Sequence, residues 1–329
     1  MDPVPSILEP PTSISNKTKN IDLLFEAKKL KIYWKPDLEY NCLDHRYSSW
    51  ETGARISQDR LTFIGTKHWS TSLTRGCADA GKWYFECTIN QPDKNWKTFK
   101  VRGWDGNYKA VEDLIEDFPD LRNSLQPSVR IGFGTRLARL ESPIGDNPFG
   151  CAILQDSGGV INDGIVKESE ICSELNVGDV IGCAISLKEP KTILPDPRGN
   201  VHLWPFLRKG LLTDVSNQTS INEAKILNEG SFYQVSVNGI WSKNVMEDIY
   251  CVEYHPGIST FMGGSATINL GPNFVHSPPD ESFRNALEMG NSRYPCKEDL
   301  IKFWLLGDTS VLSTNAIIVR GYTETASGI

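Results

Sequence analysis

Chemistry in a protein starts from side chains that move protons, hold metals or carry fixed charge. The five histidines, His45, His68, His202, His255 and His276, are scattered, and none begins an H-x-x-x-H pair. A helical metal site needs two ligands on one face at that spacing, so none is expected. His255, just before Pro256, reads as a turn cap. The eight cysteines, Cys42, Cys77, Cys87, Cys151, Cys172, Cys183, Cys251 and Cys296, form no C-x-x-C pair. Zinc-ribbon and dithiol redox chemistry are therefore not expected. Several of these thiols sit inside apolar strand patterns and read as free buried thiols of a reducing compartment. No G-x-S-x-G is present, so no nucleophile elbow is expected. Gly132-Phe133-Gly134 precedes no helix, and a phosphate cradle needs a helix start. The residues point to no catalytic site, no cofactor and no metal.

What remains is fixed charge on a strand. Residues 129–149, VRIGFGTRLARLESPIGDNPF, open with Val129, Ile131 and Phe133 alternating with Arg130, Gly132 and Gly134. Period two puts the apolar trio on one face and Arg130 on the other. Gly132 and Gly134 leave Arg130's face bare of bulk, so another segment can lie against the backbone there. A loop with Pro143, Gly145 and Pro148 follows and brings back Phe149. The arrangement suits capture of an extended acidic segment. It equally suits an edge strand with a solvated arginine and an ordinary turn.

The elements around this stretch read as β. Residues 81–89, GKWYFECTI, alternate as a half-buried strand, with Trp83, Phe85, Cys87 and Ile89 on one face. VIGCAISL, after Gly178-Asp179, is apolar on both faces and reads as central. FYQVSV, Asn238-Gly239 and Ile240-Trp241 read as a hairpin with a type I′ turn. Residues 55–65 read as one strand and its lead-in, and 68–73, 254–261 and 265–270 as further strands. Short strands, turn signals and no βαβ rhythm predict an antiparallel β-sandwich. Two long excursions interrupt it, at 90–128, with a short acidic helix around 111–118, and at 188–229. Residues 1–20 read as a disordered tail; 21–31 fit a helix or a strand. Residues 297–306, KEDLIKFWLL, carry an apolar stripe with acidic residues near the start and Gly307 after the end, as a helix requires. Residues 311–319 are β-like.

The chain has 329 residues and a formal net charge of -7. A general grip on a nucleic-acid backbone is not expected from that balance, although a local basic patch is compatible with it. The sequence contains no run of 18 apolar residues, so no membrane span is expected. The first residues have neither a basic start nor an apolar core and do not read as a secretory signal.

Four stretches in this order, GKWYFECTI, VRIGFGT, NVGDVIGCAISL and FYQVSVNG followed by ISTF, resemble a SPRY (B30.2-like) domain. ISQDRLTFIGTK upstream, with ATINLGPNFVHSPPD and FRNALEMG downstream, look like the SPRY subunit of COMPASS-type complexes, the Bre-two and Ash-two-like family. The resemblance covers about 54–306. It implies a sandwich over 21–296 without catalytic residues, and a docking helix with tail over 297–329. It also implies a nuclear scaffold subunit of a complex that methylates histone H3 on lysine 4. Family members hold an acidic stretch of a WD-repeat subunit on the SPRY surface, stimulate the SET-domain methyltransferase, and dock a small dimeric Dpy-thirty-type subunit with a terminal helix. Contact with the nucleosome would be indirect. Carried over, the WD-repeat site is Arg130, Pro143, Gly145, Asp146 and Phe149, and the docking helix offers Leu300, Ile301, Phe303, Trp304 and Leu305. The family usually has an aromatic where Asp146 stands, and a second arginine where Leu154 or Gln155 stands. An aspartate there costs an acidic ligand roughly 0.5–2 kcal/mol unless neutralised; Arg136, Arg139 and Lys167 are the nearby cations. The alternatives are another SPRY adaptor, such as a ubiquitin-ligase substrate receptor, or a jelly-roll lectin using Trp104, Trp204 or Trp241.

Overall fold

The computed structural model describes residues 41–291, apart from 50–51, 103–105, 136–137, 139, 169, 172–173, 189–226 and 243–245. The expected N-terminal tail, residues 21–31, nearly all of the second excursion, the helix over 297–306 with its five docking residues, and 311–319 lie outside the described residues.

In chain order the strands are β1 (Leu43–Ser48), β2 (Arg55–Ile56), β3 (Thr62–Ile64), β4 (Ser70–Thr74), β5 (Gly76–Cys77), β6 (Gly81–Ile89), β7 (Lys100–Arg102), β8 (Tyr108–Ala110), β9 (Ser128–Gly134), β10 (Gly150–Leu154), β11 (Val160–Asn162), β12 (Ile165–Lys167), β13 (Val180–Leu187), β14 (Phe232–Val237), β15 (Ile240–Trp241), β16 (Met246–Glu247), β17 (His255–Phe261), β18 (Ser265–Asn269), β19 (Arg284–Asn285) and β20 (Gly290–Asn291). The helix α1 spans Val111–Asp117. One sheet runs β1-β4-β17-β9-β10-β11-β12, and the other β15-β14-β13-β6-β18-β3-β2 with β16 and β19 attached. Pairing is antiparallel except between β19 and β6. The two sheets face each other as the expected sandwich. Phe85 of β6 meets Phe133 of β9 edge-on at 5.0 Å, and Phe133 meets Tyr233 of β14 at 6.0 Å. The alternation explains the filling: Val129, Ile131 and Phe133 from one sheet and Phe85, Cys87, Ile89, Ile181, Cys183 and Ile185 from the other are buried in one cluster. Tyr233 spends its hydroxyl on the Ile131 carbonyl across the core, at 3.3 Å.

The structure revises several expectations. Strand β9 is not an edge strand: it lies between β17 and β10. Residues 55–65 form two antiparallel strands, β2 and β3, around a turn in which Arg60 takes a φ of 60°. Strand β6 is covered on both faces. Tyr84 and Glu86, on its outer side, are buried. The segment after β18 supplies the cover: Val275 N and His276 N donate to the Glu86 carboxylate at 2.8 and 2.7 Å, and Phe274 meets the Tyr84 ring at 4.6 Å. Trp241 is half-buried and packs on this same aromatic group. His255 does not cap a turn. It lies fully buried in β17, its Nδ1 2.9 Å from the Thr74 carbonyl. The turn expected at Asn238-Gly239 is present, with φ of 49° and 80°. Helix α1 forms within the first excursion, burying Val111 and Leu114.

Candidate partner-binding site

The centre of the first sheet sets the site. Strand pairing puts Ser259 of β17, Arg130 of β9 and Leu154 of β10 side by side, so the three share the outer face. Opposite them in the next strand, Ser259 pairs Thr71 of β4. Trp69 precedes Thr71 by two residues and stands on the same face. Its ring stacks on Phe261 of β17, with centroids 5.3 Å apart and planes at 23°. The Arg130 guanidinium sits 4.9 Å from the Trp69 ring centroid, within cation–π range.

The bare face that the glycines leave is occupied by the chain's own loop. A Cβ on Gly134 would meet Leu73 at 2.8 Å and Ile144 at 3.3 Å. One on Gly257 would meet Leu73 at 2.6 Å and Ile144 at 2.9 Å, and one on Gly150 would meet Ile144 at 3.0 Å. Three glycines from three adjacent strands therefore make the seat for Ile144. The loop is tied down by polar contacts: Thr71 Oγ1 donates to the Ser142 carbonyl at 2.8 Å, and Ile144 N donates to Ser259 Oγ at 2.9 Å. Pro143, Ile144 and Gly145 are buried. Gly145 takes a φ of 92°, where a side chain would also meet Ile161 Cγ2 at 2.5 Å, so only glycine fits without strain.

The turn from Pro143 aims Asp146 back at the strand. Its Oδ1 accepts from Arg130 Nη1 at 2.5 Å, and Nη1 also lies 3.4 Å from the Ile144 carbonyl. The Arg130 side chain is 15% exposed and the Asp146 side chain 43%. The cation is thus already matched by a carboxylate of the same chain, with an aromatic wall on one side and solvent on the other. Of the expected neutralising cations, Lys167 lies exposed on the edge strand β12, and Arg136 and Arg139 lie outside the described residues. Arg130 itself is the neutralising group.

Of the five expected residues, the structure brings Arg130, Pro143, Gly145 and Asp146 together. Phe149 turns to the core cluster instead, its ring 6.0 Å from Tyr250. Leu154 occupies the position beside Arg130, buried and apolar. Gln155 is structural: it accepts from Val129 N at 2.9 Å. Sequence reasoning missed Trp69, Phe261 and Ile144. The alternation Trp69, Thr71, Leu73 carried a signal for the first. Chemically the site offers one guanidinium that donates to a carboxylate, here that of Asp146. The thiols are placed for packing: the six described cysteines are buried, and burial pushes the Cys183 thiol up to about 12. Among the described residues, no group of three or more His, Cys, Asp or Glu could hold a metal ion.

No protein-family model matches the sequence. The sequence is 30% identical over 243 residues to the Set1/Ash2 histone methyltransferase complex subunit ash-2 of Caenorhabditis elegans, covering 70% of this chain and 37% of that protein. It is 25% identical over 262 residues to the Set1/Ash2 histone methyltransferase complex subunit ASH2 of Drosophila melanogaster, covering 79% of this chain and 40% of that protein. The Set1 complex component ash2 of Schizosaccharomyces pombe is 25% identical over 238 residues, covering 60% and 31%. The chain therefore spans less than half the length of these curated relatives. Among solved structures, the SPRY domain of human HERC1 is similar, with a TM-score of 0.39 at 12% identity over 69% of this chain and 96% of that one.

Proposed function

From the homology of this chain to Set1/Ash2 histone methyltransferase complex subunits, we propose that it is a non-catalytic scaffold subunit of such a complex. Its SPRY sandwich holds an acidic segment of a WD-repeat subunit at Arg130, and the complex methylates histone H3 on lysine 4 in the nucleus. The segment over 297–306 docks a small dimeric subunit of the Dpy-thirty type, and the assembly stimulates the SET-domain subunit. The observation that carries the reading is the Arg130 guanidinium, banked on Trp69 and bonded to one exposed carboxylate. A site that holds Asp146 in this way has the geometry to hold a partner's carboxylate in its stead, once Asp146 swings out.

Copurification of the tagged chain, followed by mass spectrometry, tests the assembly. Recovery of a SET-domain methyltransferase and WD-repeat proteins supports it. Addition of the chain to a SET-domain core complex should raise lysine-4 methylation, and turnover unchanged by its addition refutes the scaffold role. A ubiquitin-ligase adaptor would bring down ligase subunits instead.

A further inference from the structure

The excursion between β6 and β9 carries a second cluster of charge, separate from Arg130. From Lys94 to Lys109 the sequence has five cations, Lys94, Lys97, Lys100, Arg102 and Lys109, against one carboxylate, Asp105, in a chain of net charge -7. The hairpin β7–β8 sorts them by face. In β7, Lys100 and Arg102 are exposed and Val101 between them is half-buried. Tyr108 pairs directly opposite Arg102, so it stands on the cationic face. The tyrosine is 63% exposed. Lys67, from the loop ahead of β4, reaches over this ring with Nζ 5.6 Å from its centroid, and donates to the Lys100 carbonyl at 3.2 Å. Lys109 alternates to the other face, where it pairs Asp117 of α1 at 2.9 Å. Among the described residues no carboxylate pairs with Lys67, Lys100 or Arg102. The hairpin has a firm base: Asp93 N donates to the Gly263 carbonyl at 2.8 Å and Val111 N to the Phe99 carbonyl at 3.0 Å.

We infer that this face binds the sugar-phosphate backbone of a nucleic acid without regard to sequence, with Tyr108 as a platform for an unpaired base. Three unmatched cations around an exposed flat ring suit a ligand that offers both phosphates and bases. An acidic peptide would use the cations and leave the ring without a partner.

The test is fluorescence anisotropy of the full chain with labelled single-stranded and duplex DNA of mixed sequence, titrated with salt. Three phosphate contacts give a slope of log K against log salt of about -2.7 for duplex and about -2.1 for single strands. Between 50 and 200 mM salt, duplex affinity should therefore fall about fortyfold. The double change Lys100→Glu, Arg102→Glu should weaken duplex binding and reduce the duplex slope by about 1.8, with the thermal midpoint held. If that variant fails to fold, Lys100→Gln, Arg102→Gln should give the same loss of slope. Tyr108→Ala should weaken single-strand binding by at least about fivefold and leave duplex binding within about twofold. Arg130→Ala should leave both unchanged. Binding that is insensitive to the hairpin substitutions overturns the inference. So does equal competition by poly-glutamate of matched charge, which would make the face a peptide site.

Discussion

The change Asp146→Asn separates the charge at the candidate site from its shape. In the wild type an incoming carboxylate has to displace Asp146 from Arg130. A fully exposed ion pair contributes about 0.2–1 kcal/mol, and a hydrogen bond to a buried charged group about 1.5–3 kcal/mol. The Arg130 side chain is 15% exposed and Asp146 43%, with an N–O distance of 2.5 Å. The pair lies between those limits, at about 1 kcal/mol. Removing the charge should tighten an acidic peptide by about fivefold. Isothermal titration with a Glu/Asp-rich peptide at low and high salt reads this directly. The gain should shrink at high salt, because Asp146 faces solvent. Adding Arg130→Ala to Asp146→Asn should erase the gain, since the two residues act as one pair. A gain that persists without Arg130, or an Asp146→Asn variant that binds no tighter than wild type, refutes the self-ligand account. Asp146→Tyr, which removes the carboxylate and sets an aromatic ring beside Arg130, should tighten binding further.

Arg130→Ala should lower acidic-peptide affinity by about 1–3 kcal/mol with little change in melting temperature, because the guanidinium lies outside the core; calorimetry and thermal melts check both. Gly145→Ala places a Cβ at positive φ, 2.5 Å from Ile161 Cγ2, and should destabilise the fold by about 1–3 kcal/mol in urea titration. Iodoacetamide at pH 8 should leave Cys183 unmodified in the native protein and label it in denaturant, since burial pushes its pKa up to about 12 and the thiolate is the nucleophile; mass spectrometry of the peptide decides. Leu300→Asp with Trp304→Asp should abolish capture of a small dimeric subunit and leave the melting temperature of the isolated chain nearly unmoved, given roughly 2–3 kcal/mol for each large apolar side chain buried in the partner. A fall of many degrees would put that segment in the protein's own core.

Local pattern carried much of the fold. The alternation over Gly81–Ile89 has the bounds of β6 as read from its residues, and Asn238-Gly239 makes its turn because both positions adopt positive φ. Neighbours distant in sequence were not legible. Strand β9 looks like an edge until β17, more than a hundred residues later, pairs with it. The second face of β6 looks solvent-facing until the segment around His276 bonds to Glu86. The site shows the same division. Arg130 and the loop's Pro and Gly were readable, because they are contiguous and carry backbone constraints. The Arg130–Asp146 pair depends on Ile144 settling over Gly134, Gly150 and Gly257, which only the strand order brings together. Trp69 reaches Arg130 through a β4–β17–β9 ladder that no single stretch of sequence contains.

The strand order also sets a schedule for synthesis. Strand β6 lies between β13 and β18, and β18 begins about 175 residues after β6 ends. At about 5–20 residues per second the ribosome takes on the order of 10–35 s to deliver that partner. Throughout that interval the edge of β6 that will receive β18 has no native strand to pair with, and β9 awaits β17 in the other sheet. Neither sheet can close until the last quarter of the chain has emerged. Unpaired apolar edges of this kind are templates for wrong pairing, and a topology of such long-range contacts folds slowly. A nascent chain stalled at residue 250 would carry both open edges at once, so protection of β6 and β9 during translation has to come from outside the sandwich.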